Sequence, residues 1–243
     1  MKVAPKIVFL FNDCQPFFDA LRPNPNSSLT TLEDAFHLSL ERYGIEIAMP
    51  LAPFFTLSMI RALIRKVGLV MRLSMVLLQN YEPPILACAV NEVLASITGE
   101  QSSPLPTFLV PSSKLKWEIK NSAPNHKNAL YGMQIGPETE TTQALATRTK
   151  KPPSLLQIHH EPLAIFIQLA RVLKLPTFVL IGQNGKGEEL EAVGDGPRIA
   201  KMLHKVGEVL ASTSGLCFLR ERIKWNPTMT SKDVGEPWRA LYG

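Results

Sequence analysis

The clearest hydrophobic patterns along the chain alternate between short unbroken apolar runs and longer runs with a helical period. Lys6–Phe11 (KIVFLF) is an apolar run of strand length, and Leu73–Gln79 (LSMVLLQ) is a second. Leu105–Val110 lies between prolines and reads as a third, and Thr177–Ile181 as a fourth. Continuous apolar runs bounded by turn residues are the pattern of strands buried on both faces of a parallel sheet. Between them, Pro83–Pro84 opens a helix that carries Ile85, Cys88, Val93, Leu94 and Ile97 and closes at Gly99. Pro197–Ala211 places Ile199, Met202, Leu203, Val206, Val209 and Leu210 on one helical face. Gly215–Leu219 is long enough for a last short strand.

The segment Leu163–Leu175 is apolar nearly all round. Gln168, Arg171 and Lys174 recur every three residues and leave only a narrow polar stripe. Pro162 suits the first turn of a helix, where a missing N–H costs nothing, and Pro176 ends it. A helix this apolar is expected to be covered on several sides, by its own domain, by a partner, or by both. On the partner reading, Leu163, Phe166, Ile167 and Ala170 form the contact face.

Two regions lack such clarity. Leu29–Tyr43 is expected as a helix, because Thr30 and Glu33 fit a capping box. Leu29, Leu32, Phe36, Leu40 and Tyr43 share its face, and Gly44 stops it. Residues 45–72 are apolar with scattered Arg and Lys and no clean period. A helix over Leu57–Val67 fits, either as a core helix with flanking loops or, given its basic character, lying on a membrane surface. Residues 111–160 are polar and proline-rich, and are expected to form a surface excursion with a short strand or helix near Ala129–Ile135. Strands alternating with helices predict an α/β fold: a three-layer α/β/α sandwich with a largely parallel central sheet and helices on both faces. The expected division is a single domain over 1–227 and a flexible tail over 228–243.

Composition narrows the function. Hydrophobic residues make up 45% of the 243 positions and charged residues only 19%, so a sizeable core is expected. The 26 basic side chains exceed the acidic ones by five but are spread along the chain, short of a nucleic-acid footprint. The three cysteines, Cys14, Cys88 and Cys217, are far apart, as suits a reducing compartment, and form no metal or redox pair. The apolar run after Met1 is too short for a secretory signal, and Ile47–Ile60 is well under a membrane span. The expected location is cytoplasmic and nuclear.

In an α/β fold, catalytic motifs lie at the strand ends. Gly182–Gly187 (GQNGKG) follows a strand, but Lys186 lacks the Ser or Thr that would hold magnesium in a phosphate loop, and the segment reads as a surface turn. His159 and His160 are adjacent and do not share a face, so no metal is expected. Ser112, Ser113, Asp13 and Cys14 follow strand ends, where α/β ligand sites form, without an assignable base or oxyanion donor. Neither catalysis nor a cofactor is indicated.

The sequence ends in Leu241, Tyr242 and Gly243: hydrophobic, Tyr, any residue, carboxylate. A mobile end of this kind can fill a pocket with its Tyr and meet a cation with its carboxylate. This tail, together with the stretch 152–182 (PPSLLQIHHEPLAIFIQLARVLKLPTFVLIG), resembles the proteasome assembly chaperone 1 family. The resemblance implies a non-enzymatic chaperone without cofactor on an α/β/α sandwich related to nucleoside phosphorylases. It implies a heterodimer with proteasome assembly chaperone 2 that sits on the α-subunit ring of the 20S core particle. Tails of such proteins dock between α subunits; here Leu241, Tyr242 and Gly243 match, with Gly243 supplying the carboxylate. Residues 45–72 depart from the family pattern, as a shifted reading frame or a retained intron in the gene model would make them. The alternative is a small-molecule enzyme on the same sandwich, of the nucleoside phosphorylase-like or hydrolase type, which needs polar groups converging at the strand ends. A third is a membrane-surface adaptor using residues 47–72.

Overall fold

The computed structural model describes residues 4–14, 20–22, 29–37, 40–44, 56–66, 69–79, 81–99, 104–112, 130–154, 156–158, 160–182, 196–214 and 216–219. Strand β1 (Lys6–Phe11) lies in the middle of a seven-stranded sheet. It pairs in parallel with β5 (Leu69–Leu78) on one side and with β6 (Thr107–Ser112) on the other. β8 (Thr177–Gly182) extends the parallel block beyond β6. β7 (Leu130–Ile135) closes that edge antiparallel to β8. At the opposite edge β4 (Thr56–Lys66) and β3 (Leu29–His37) are added antiparallel, giving the order β3-β4-β5-β1-β6-β8-β7.

Side chains of successive strand residues point to opposite faces, so each parallel strand feeds two cores. Ile7, Phe9 and Phe11 of β1 join Val76, Phe108, Val110, Val179 and Ile181 on one face. That face is covered by helix α1 (Pro83–Thr98) and helix α3 (Glu161–Val172), which pack on each other. Val8 and Leu10 join Met75, Leu77, Leu109 and Leu180 on the other face. There α2 (Glu140–Ala146) contributes Leu145, and α4 (Gly196–Ser214) contributes Val206, Leu210 and Ala211. The result is the expected three-layer sandwich, parallel through its four central strands and antiparallel at both margins. Ser74, a polar residue in the buried block, accepts a hydrogen bond from the Ala4 amide at 3.0 Å, which offsets the cost of its desolvation.

Local chemistry explains the helix ends. Prolines occupy the first turns of α1 and α3, where their missing N–H is harmless. Thr139 caps α2: its hydroxyl accepts from the Thr142 amide, while the Thr142 hydroxyl accepts from the Thr139 amide. α3 ends in a Schellman arrangement. The Leu175 amide donates to Ala170 O at 2.9 Å and the Lys174 amide to Arg171 O at 3.2 Å. Lys174 therefore takes the left-handed conformation (φ 52°), which glycine usually fills.

Two sequence expectations are corrected. Leu29–Tyr43 is not one helix: Leu29–His37 is strand β3, followed by a 3-10 turn over Glu41–Tyr43. Gly44 ends that turn in the left-handed conformation (φ 70°). Leu57–Val67 is not a helix either, since Thr56–Lys66 is strand β4. The cause is nonlocal. β3 pairs with β4 along its whole length, from Leu29↔Ile64 to His37↔Thr56, and β4 pairs with β5 from Ser58↔Leu77 to Lys66↔Leu69. Those ladders satisfy the backbone, and Thr30, Thr31 and Phe36 suit a strand at least as well as a helix. The short strand expected over Gly215–Leu219 exists as β9 (Cys217–Phe218), but it pairs outside the main sheet with β2 (Leu21–Arg22).

Candidate functional site

Ligand sites of open α/β sheets lie where the strand order reverses, at the carboxyl ends of the strands. Here β1 is flanked by β5 and β6, so that point falls between β1 and β6, beside Phe11, Asn12 and Ser112. Cys14 follows in a 3-10 turn, is buried, and donates its thiol to Pro111 O at 3.8 Å. Ser112, the last residue of β6, is 6% exposed, and its Oγ has no hydrogen-bond partner among the described residues. His160 precedes the first turn of α3 and sets its ring edge-on to Phe11, 5.4 Å between centroids. Phe11 in turn meets Phe9 and Phe166, so the imidazole abuts an aromatic cluster.

This arrangement brings a hydroxyl, a thiol and an imidazole to one end of the sheet. Among the described residues no hydrogen bond links the Ser112 hydroxyl to the other two. A serine nucleophile needs a base within hydrogen-bond reach, and among the described residues no base touches the Ser112 hydroxyl. The thiol is committed to a backbone carbonyl. The side chain of Asp13, and all of His159, Ser113 and Gln183–Gly187, lie outside the described residues. Among the described residues no cluster of His, Cys, Asp and Glu could hold a metal ion, and no helix is long and apolar enough to cross a membrane.

The residues expected to bind a partner divide sharply. Leu163, Phe166, Ile167 and Ala170 are all buried in the chain's own core, between the sheet and α1. Their spacing of three and four residues points them inward together. The apolar character of α3 is accounted for by the sheet below and α1 beside it. Leu241, Tyr242 and Gly243 lie outside the described residues.

What α3 does present outward is its last turn. Val172 is 76% exposed and Leu173 39%, between the exposed Arg171 and Lys174. Leu105, 40% exposed, stands at the same end of the sheet, since Phe108 N donates to Pro176 O where β6 and β8 begin. The sequence held a signal for this group: a Leu-Lys pair before Leu-Pro, where a helix of this kind normally ends on glycine.

The family model described as a domain of unknown function (DUF7894) matches residues 1–243. The chain belongs to that family. No curated protein matches it by sequence. Among solved structures it is similar to a PAC2 family protein from Streptomyces avermitilis, at 10% identity and a TM-score of 0.48 over 89% of this chain and 88% of that one. It is similar to a Mycobacterium tuberculosis protein of unknown function at 10% identity and a TM-score of 0.49, over 91% and 72% of the two chains. A proteasome-assembly chaperone homologue from the same bacterium aligns at 9% identity and a TM-score of 0.39, over 93% and 96%.

Proposed function

We propose that this chain is an assembly chaperone subunit that acts by binding protein rather than by catalysis, with the 20S proteasome α ring as its target. The observation that carries the reading is the stretch 152–182, whose residues resemble the proteasome assembly chaperone 1 family. In the fold it supplies α3, the Schellman turn and the fully buried strand β8. The finer parts of the proposal are a heterodimer with proteasome assembly chaperone 2, docking of Leu241, Tyr242 and Gly243 between α subunits, and residence in cytoplasm and nucleus. A buried Tyr with a charge-assisted carboxylate contact resembles an interface hot spot, where truncation commonly costs on the order of 2 kcal/mol.

The test is binding of the purified chain, alone and with the second chaperone, to isolated α rings. Three tails are compared: intact, lacking Leu241–Gly243, and extended by one residue. The proposal expects about thirtyfold weaker binding for the last two and unchanged heterodimer formation. Equal affinity for all three removes the tail, and absence of any ring binding removes the proteasome as target.

The rival reading, a small-molecule enzyme of the phosphorylase or hydrolase type, draws on Ser112, Cys14 and His160 at one sheet end. It requires turnover of a nucleoside or ester that is lost in Ser112→Ala and Cys14→Ser.

A further inference from the structure

We propose that the α3–β8 turn, Arg171–Lys174, is a docking surface for an acidic, apolar segment of a partner protein. The inference deepens the protein-binding reading and rests on it for its class of partner. Val172, Leu173 and Leu105 are the large apolar side chains exposed among the described residues, and all three emerge at the amino end of β6 and β8. Isolated exposed apolar residues need no explanation, but here two are adjacent on a rigid turn. Its rigidity comes from the two Schellman hydrogen bonds and from Gly136, whose bare Cα lets the backbone approach the carbonyl of Leu175. A Cβ at Gly136 would lie 2.4 Å from that oxygen. Lys174 holds a left-handed conformation within the same turn, a form of strain that persists where surrounding structure fixes it.

Charge decides the partner. Arg171 and Lys174 bracket the apolar pair and are exposed, and neither makes an ion pair among the described residues. Glu138, two residues beyond Gly136, has its carboxylate engaged by the Gln143 amide at 3.1 Å. A segment that places apolar side chains on Val172 and Leu173 and carboxylates beside them would bury the apolar pair and neutralise both cations. A basic segment would meet like charge at both ends, which penalises the wrong partner.

The experiment uses the full chain and three short fluorescent peptides: one of leucine and glutamate, one of leucine and lysine, and one of serine and glutamate. Binding is followed by anisotropy. The expected order is tightest binding for leucine–glutamate, weaker by on the order of tenfold for each of the others. In V172S/L173S the preferred peptide should lose about the same factor, and R171E/K174E should reverse the preference toward leucine–lysine. These side chains face outward, so the variants should keep the parent circular dichroism and melting behaviour. Equal binding of the three peptides, or unaltered binding by V172S/L173S, overturns the proposal. So does a chain that dimerises by itself and becomes monomeric in V172S/L173S, because a second copy then covers the turn. Peptide selectivity without any α-ring binding would keep the docking surface and discard the proteasome as target.

Discussion

Gly207 of α4 faces the ring of Phe218 so closely that a methyl group on its Cα would lie 2.1 Å from Phe218 Cε2. Glycine inside a helix ordinarily costs about 1 kcal/mol relative to alanine. Here the contact outweighs that preference, because the side chain that would have to give way is a ring in strand β9. Gly207→Ala should therefore destabilise the chain by roughly 1–3 kcal/mol, as overpacking does. Denaturant unfolding checks this, with Phe218→Leu as the companion change. In the double variant most of the loss should disappear, and simple additivity would show that the contact is not the cause.

Lys174→Gly should act in the opposite direction. A left-handed non-glycine residue costs on the order of 1 kcal/mol, and the turn already exists to receive glycine. A rise in unfolding free energy of about that size is expected, while Lys174→Ala should give no such gain. Equal effects of the two substitutions would separate the change from backbone conformation.

Phe166 stands at the centre of an aromatic cluster, 4.7 Å from Phe9 and 5.9 Å from Phe108 between ring centroids. Phe166→Ala should cost about 3–5 kcal/mol, whereas Val172→Ala, six residues further along, should stay within about 0.5 kcal/mol. Thermal or chemical unfolding of the two variants side by side tests whether α3 faces inward as described.

Burial pushes the Tyr81 phenol from its ordinary 10.0 up to about 12. The folded chain then keeps a proton that the unfolded chain releases. Stability from this source is fully present below pH 10 and is lost as pH rises through 12. Ultraviolet titration should show one phenolate appearing late that is missing in Tyr81→Phe, and the parent protein should lose stability relative to Tyr81→Phe over that window. Uniform titration of all phenols near pH 10 would contradict it.

Ser112 carries a desolvated hydroxyl without a partner among the described residues, so its removal strands no described group. Ser112→Ala should leave stability unchanged or raise it by up to about 1 kcal/mol. A loss of more than that, measured by denaturant unfolding, would mean that the hydroxyl makes a contact in solution.

The parallel centre of the sandwich was legible because its signals are local. β1, β5, β6 and β8 are apolar runs that need no partner to be recognised, and α1 and α4 carry inward residues at helical spacing. β3 and β4 were not legible for the opposite reason. Leu29, Leu32 and Phe36 fall at helical intervals, and only the ladder from Leu29↔Ile64 onward makes a strand of them. α2 is not legible in the sequence because its signature is a pair of threonines, Thr139 and Thr142, in a polar region. The apolar abundance of Leu163–Leu175 signals coverage on several sides, which the sheet and α1 provide. Composition does not say which neighbour covers a face, and for Leu163, Phe166, Ile167 and Ala170 the sheet and α1 do so within the chain. Val172 and Leu173 were hidden in the same run, since their exposure depends on where the helix stops.

Leu21 pairs with Phe218, and the Leu219 amide donates to Ala20 O at 2.9 Å. During synthesis this joint cannot close until nearly the whole domain has left the ribosome, whereas β1 can find β5 and β6 much earlier. The nascent chain can thus assemble its parallel centre from the amino terminus onward while β2 waits. Folding on the ribosome should finish with a discrete late step that seats Phe218 on α4. Arrested chains that stop short of β9 should therefore keep a protected central sheet but remain open to proteolysis around Leu21.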